Sequence, residues 1–311
     1  MPKTLPLFAL TFIFSTPGLL AAQEHDVVDP TWTLDEPGEA SGRGLDISVR
    51  PGIESTFKSS YDDLELSILR SGVDTDLTIQ VSDDVAVPIG FGFEHSRYDW
   101  EHLTVGPGLA APEIEDGYEV SLTPGIRVRH DEEIAWFARG LFTWATTDGG
   151  DLSDSFYAGG FAGVSWRVSP QLALTAGAGV VDRFEDSVRV IPILGLDWEI
   201  SDLANLKVEG PGATFTYDLT EQVELLAFLR YEFRQYRIQE GPGVAGGVLE
   251  DERLLTGIGL AWRPGPSIEI RVESGIVPYS EITIENSRGS DLVEENGDLA
   301  GWVGGSLRLN F

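Results

Sequence analysis

The sequence predicts an all-β fold: an antiparallel transmembrane β-barrel of about twelve strands, within a range of roughly ten to fourteen. Three observations predict it. The first is the end of the chain, Leu307-Arg308-Leu309-Asn310-Phe311. Reading back from Phe311, every second residue is apolar or Gly, through Leu309, Leu307, Gly305, Val303 and Gly301 to Leu299. A period of two is a strand with one apolar face, and a last strand that stops on an aromatic residue looks like the closing strand of an outer-membrane barrel. The second observation is that the same alternation recurs along the chain. The third is that short turns and long loops alternate between those stretches, the asymmetry of barrels in the outer membrane.

The N-terminus carries the layout of an export signal. Lys3 is a short basic start, Leu5 to Phe14 is almost wholly apolar, and Leu20-Ala21-Ala22 offers a small-residue cleavage site. Residues 1–22 therefore read as a secretory signal peptide. The apolar run is short of the roughly 20 residues that a transmembrane helix needs. Residues 23–43 read as an acidic periplasmic tail, with no Lys or Arg before Arg43, and residues 44–311 as the barrel. With no cysteine in the chain, no disulfide holds the fold.

The strands follow from alternation. Ile268, Ile270, Val272, Ser274 and Ile276 share one face, against Glu269, Arg271, Glu273 and Gly275 on the other. Val223 to Phe233 repeats the pattern. Leu45–Val49, Val87–Phe93, Tyr118–Val128, Ile134–Trp144, Phe156–Trp166, Leu172–Val180, Val188–Trp198 and Leu254–Trp262 complete the clear set. Leu64 to Val81 reads as one long strand or as two pieces broken at Ser71-Gly72. The stretch around Leu206–Glu209 and Thr214–Asp218 reads as a hairpin too short to span. Turn residues mark Ser82-Asp83-Asp84, His130-Asp131-Glu132, Ser169-Pro170-Gln171, Leu219-Thr220-Glu221 and Pro264-Gly265-Pro266. Long loops are expected at about 99–117, 146–154, 239–249 and 280–298. Trp136, Trp144, Trp166, Trp198 and Trp262, with Tyr118, Tyr217 and Tyr279, fall near strand ends, as an aromatic girdle would.

Charge fixes inside from outside. A mid-bilayer Arg or Lys facing lipid costs about 2–4 kcal/mol. The register that carries Arg127, Arg139, Arg189, Arg230, Glu232, Arg234, Glu269, Arg271 and Glu273 is thus the lumen register. Mixed signs have two readings: a paired ionic core that plugs the barrel, or opposed stripes along a wet channel. The net charge of −30 argues against nucleic acid, whose phosphates need Lys and Arg. Many acids fall on expected loops, among them Glu115, Asp116, Asp148, Asp154, Glu250, Asp251, Glu252, Asp291, Glu294, Glu295 and Asp298, as a solvated rim or a cation-attracting mouth.

Catalytic constellations do not stand out. His25, His95, His102 and His130 are read as polar loop residues. Ser55-Thr56-Phe57-Lys58 matches S-x-x-K on a strand end, where that motif's helix is missing. Gly241 to Gly246 matches a dinucleotide loop by letters alone. No cofactor, metal site or enzymatic activity is expected. The expected partners are outer-membrane lipid, the barrel assembly machinery, and ions or small solutes.

Gly195-Leu196-Asp197-Trp198 followed by Ile200-Ser201-Asp202, then Gly210-Pro211-Gly212 and Thr216-Tyr217-Asp218-Leu219, resembles an uncharacterised outer-membrane β-barrel family of Gram-negative bacteria known only as a domain of unknown function. The likeness covers roughly Leu45 to Phe311. It implies a barrel in the outer membrane and no activity or site residues. The reading that follows is a passive channel or small-solute transporter with acidic extracellular loops. The rival is a sealed structural or adhesion barrel, and a lipid-modifying enzyme is a distant third. Leu307, Leu309 and Phe311 form the expected assembly signal. Replacing Phe311 by a polar residue, or deleting it, is expected to lower the yield of heat-modifiable barrel in the outer membrane; unchanged yield refutes a role for this edge in assembly.

Overall fold

The computed structural model describes residues 44–61, 64–101, 114–150, 152–184, 188–239, 244 and 246–311. The expected signal peptide and acidic tail lie outside them. Fifteen strands form one sheet: β1 (Leu45–Tyr61), β2 (Leu64–Ser82), β3 (Val85–Glu101), β4 (Asp116–Arg129), β5 (Ile134–Thr147), β6 (Phe156–Ser169), β7 (Leu172–Val181), β8 (Arg189–Ser201), β9 (Ala204–Glu209), β10 (Gly212–Thr220), β11 (Val223–Arg237), β12 (Val248–Gly265), β13 (Ile268–Glu285), β14 (Asp291–Asn296) and β15 (Ala300–Asn310). Each strand pairs antiparallel with its neighbour, β12 also pairs with β13, and β15 returns to β1 through Thr56↔Trp302 to Ser48↔Asn310. The result is a closed barrel of 14 strands, with β14 as an extra strand on β13.

The count exceeds twelve by β9 and β10. With 6 and 9 residues they fall at or below the roughly 9–11 that a spanning strand needs, yet each is fully hydrogen-bonded into the wall. β2 is one continuous strand through Ser71-Gly72. The loop expected at 280–298 is largely a hairpin, in which Ile284↔Val293 and Glu281↔Asn296 pair β13 with β14. Pro264 and Gly265 belong to β12, so that turn is Pro266-Ser267.

The outward face is apolar over the length a bilayer requires. On β3 it runs Val85, Val87, Ile89, Phe91, Phe93, and on β12 Trp262, Leu260, Ile258. Trp136, Trp166, Trp198 and Trp262 are half-exposed near the short turns and ring that end. A ladder that returns on itself pairs the backbone groups of its strands, which lipid cannot do. Together these place the protein in the outer membrane.

Above the apolar band the two faces exchange character. On β2 the inner residues are Leu64, Leu66 and Ile68 near the loop end, then Arg70, Gly72, Asp74 and Asp76 below. The outer residues run the other way, from Glu65 and Ser67 to Leu69, Val73, Leu77 and Ile79. β3 turns outward from Phe91 and Phe93 to His95, Arg97, Asp99 and Glu101. Strands of 17 to 19 residues thus build two storeys: a membrane barrel with a polar lumen, and above it a projecting barrel with a dry apolar core. Leu66, Tyr98, Tyr236, Leu249, Ile282, Ile284 and their neighbours fill that core. Its rim is salt-bridged in water, Lys58 reaching Glu65 and Glu101 at 2.6 and 2.5 Å.

Ile284 is fully buried in the upper core. Ile284→Ala is expected to lower stability by about 2–5 kcal/mol, the usual cost of such a cavity. Denaturant unfolding of the refolded protein, followed by tryptophan fluorescence, measures it; a loss near zero removes the dry upper core.

Candidate functional site

β11 governs the interior. Its lower half alternates as a membrane strand should, with Leu225 and Ala227 outside and Leu226 and Phe228 inside. From Tyr231 to Tyr236 both faces are buried. The ladder with β10 ends at Ala213↔Leu229, and at its top β11 meets β5 in a parallel bridge, Arg237↔Thr146. The upper half of β11 therefore leaves the perimeter and cuts across the barrel.

That crossing brings a layer of charge together at the seam between storeys. Arg234 makes a bidentate pair with Glu94 of β3, at 2.6 and 2.9 Å, and bonds Glu232 at 2.7 Å. Arg70 of β2 donates to Asp251 and, at 3.3 Å, to Glu232. Arg253 reaches Glu232 at 2.7 Å, Glu54 at 3.1 Å and the Thr56 hydroxyl at 2.6 Å. Arg230 ties Glu54 and Glu232, each at 2.9 Å. The Tyr98 hydroxyl donates to Asp251 at 3.0 Å. Four arginines face four carboxylates, so the layer is formally neutral. Its partners sit on β1, β2 and β3 on one side and on β11 and β12 on the other, strands that do not neighbour each other in the sheet. Above it Tyr98 and Tyr236 meet edge to face at 6.2 Å. Layer and upper core together close the axis.

Below the layer the lumen is polar and holds a cavity. A cavity of about 210 Å³ is bordered by Arg50, Asp74, Arg230, Arg271, Glu273 and Trp302. Arg50 and Asp74 lie 3.7 Å apart with 22% and 27% of their side chains exposed. The ionic layer and the packed upper core lie between this vestibule and the loop end.

The residues singled out in sequence divide between these regions. Glu232 and Arg234 lie in the buried layer, and Arg230 spans layer and vestibule. Arg271 borders the vestibule with Glu273 and pairs with Glu269, which also binds Arg263 at 2.7 Å. Arg127, Arg139 and Arg189 share the inward register with Phe137, Phe161 and Ile193. Leu307 and Leu309 face outward and Phe311 is exposed at the barrel's lower edge. Several placements correct the acidic-loop reading: Asp116 belongs to β4, Glu250, Asp251 and Glu252 to β12, and Asp291, Glu294 and Glu295 to β14, and Asp251 is fully buried. Arg70 and Arg253, central to the layer, were not among the chosen residues. Their signal is a buried charge where inward residues turn from apolar to polar.

His95 and Ser96 project from opposite faces. His95 meets Asp116 at 2.6 Å and stacks on Tyr118, while Ser96 accepts from Arg70 inside. Thr56 and Lys58 of the S-x-x-K letters likewise separate, Thr56 inside and Lys58 on the outer rim. His25, His102, Glu113, Asp151 and most of the 241–246 stretch lie outside the described residues. Among the described residues no cluster of His, Asp and Glu has the geometry of a metal site.

Residues 134–308, more than half of the chain and running from β5 to β15, match a domain of unknown function, DUF6268. The chain belongs to this family. No curated protein matches it. DUF6268 is named without an activity, so the interior geometry carries the functional argument. Solved structures similar to this DUF6268 chain include an outer membrane channel from Pseudomonas putida F1, at 13% identity and TM-score 0.47, covering 89% of this chain and 99% of that one. The toluene transporter TodX of P. putida matches at 7% identity and TM-score 0.45, covering 86% and 89%. The translocator domain of the autotransporter NalP from Neisseria meningitidis matches at 13% and 0.36, covering 88% and 90%. The barrel itself rests on its own closed strand order.

Removing one partner of a buried ion pair leaves an uncompensated charge and costs about 3–5 kcal/mol, whereas replacing both by apolar groups of similar volume is often neutral or stabilising. Arg70→Ala is therefore expected to destabilise the DUF6268 barrel strongly, and Arg70→Met with Asp251→Leu much less. Denaturant midpoints of the two variants check the order. Equal losses refute pairing as the reason for the layer.

Proposed function

We propose that this DUF6268 protein is a small-solute channel of the outer membrane, in a conformation closed along its axis. One observation carries the reading: a cavity lined by charge of both signs lies along the axis and stops at a neutral ionic layer. Ion pairs across a lumen can exchange partners at little net cost in charge, so a layer of this kind is suited to opening. Exposed acids on the upper storey, including Glu281, Asp291, Glu294 and Asp298, concentrate cations at the outer mouth within a Debye length of about 10 Å at 0.1 M salt. The dry upper core favours a second reading, a permanently sealed barrel that acts through its acidic exterior.

Planar-bilayer recording separates the two. The folded wild type is expected to be closed at low voltage, to open in discrete steps at higher voltage, and to prefer cations less as salt rises. Tyr98→Ala with Tyr236→Ala, which empties the contact above the layer, is expected to lower the opening voltage. Neutralising the exposed Glu294 and Asp298 together is expected to reduce the cation preference without loss of folding, because solvated charges contribute little stability. Silence at every voltage, from protein shown to be heat-modifiable, assigns the sealed barrel instead.

A further inference from the structure

The wall is incomplete between β8 and β11. On one side, β7–β8 pairing continues up to Val181↔Arg189, while β8–β9 pairing ends at Gly195↔Glu209. On the other, β11 continues eight residues beyond Leu229, whose partner in β10 is Ala213. The short hairpin β9–β10 turns back between them. Among the described residues no strand pairs with β8 above Leu194 on this side. Three features agree with an edge there. Pro192 sits in the segment without a β9 partner, where a missing N–H is tolerated. Val190 and Leu194 are 69% and 62% exposed, among the most exposed apolar side chains of the barrel. Gly210, at φ +50° on the hairpin tip, has no atom within 4 Å of the position a Cβ would take.

The gap leads inward. A cavity of about 60 Å³ lies between the hairpin and β11. Ala213 and Leu229 border it from the lipid-facing register, and Thr214, Phe228, Arg230 and the Lys207–Glu209 ion pair, at 2.6 Å, from the lumen register. It shares Arg230, Arg271 and Glu273 with the vestibule, so the two spaces adjoin. Ile193, at the β8 edge, belongs to an inner apolar cluster with Leu141 and Phe161. Above the gap the chain closes again: Arg183 lies 4.1 Å over the Phe233 ring and bonds Glu250 at 2.8 Å, and Phe184 packs on Tyr157 and under Arg237.

We propose that this gap is a lateral window through which small amphipathic molecules pass between the vestibule and the bilayer. The chemistry of the path selects the class. A strongly charged solute cannot enter lipid, and a wholly apolar one gains nothing in a vestibule lined by Arg230, Arg271 and Glu273. A molecule with one polar group and an apolar body suits both ends. The proposal rests on the transport reading for the vestibule but does not need the axis to open.

The test uses the full chain in phospholipid vesicles and a photoreactive diazirine derivative of benzyl alcohol as probe. Labelling is expected to concentrate on segments holding Ile193 and Leu229 and to be displaced several-fold by excess benzyl alcohol. Thr214→Trp, which fills the cavity, is expected to reduce it to the level of Leu260, an exposed lipid-facing residue of β12 outside the cavity lining. If Thr214→Trp does not fold, lengthening the β9–β10 hairpin by six residues on each strand, so that β9 pairs with β8 up to Arg189 and the wall closes, is expected to do the same. Labelling spread evenly over lipid-facing strands, or unchanged in the variant with the closed wall, overturns the window. Axial silence with displaceable window labelling would sink the axial channel and leave the window standing.

Discussion

The structure depends on a change of solvent part-way up the wall. In the bilayer the outside of a strand must be apolar and its inside can be charged. Once the wall projects into water the requirement reverses: its outside can be charged, and a narrow closed interior is most stable when apolar and packed. β2 meets both demands in one continuous strand by exchanging the character of its faces between Ile68-Leu69 and Arg70. The ionic layer sits at that exchange. There the arginines are too deep for bulk water and too inward for lipid, and only one another's carboxylates remain.

β11 makes the layer possible. A perimeter strand has one buried face, but Tyr231 to Tyr236 bury both, so this segment acts as an internal wall. Its inner face, Glu232 and Arg234, supplies the charges that β2 and β3 answer. Its other face, Tyr231 and Phe233, packs beneath Arg183. The cost is taken from the perimeter, where β9 and β10 are too short to replace the departed strand. The plug and the gap in the wall are two results of the same diversion.

Much of the barrel was legible in the chain. Period-two alternation located the twelve longer strands, and the terminal edge from Leu299 to Phe311 was correctly phased. β9 and β10 escaped because a length criterion for spanning does not apply to strands that stop half-way. The upper storey escaped because one phase was assumed along each strand. Adjacent apolar pairs, Ile68-Leu69, Leu254-Leu255 and Ile276-Val277, mark where that phase slips by one residue. Glu250 to Glu252 looked like loop acids because three acids in a row carry no alternation. Asp251 is instead buried by a partner, Arg70, distant in sequence by 181 residues, and a pairing at that range leaves no local trace.

The inverted faces also set an order of events during biogenesis. While the loop end crosses the bilayer, the segments of the upper storey present the wrong side to lipid, with Glu65, Glu101 and Glu281 outward. They have no favourable resting place until they reach water beyond the membrane. The lower strands can zip together within lipid, but the dry core can collapse only after translocation is complete. Maturation thus has two stages in two different solvents, and the second works as a ratchet: once Leu66, Leu249 and Ile284 have packed, the projecting storey is too bulky, and too polar outside, to slip back.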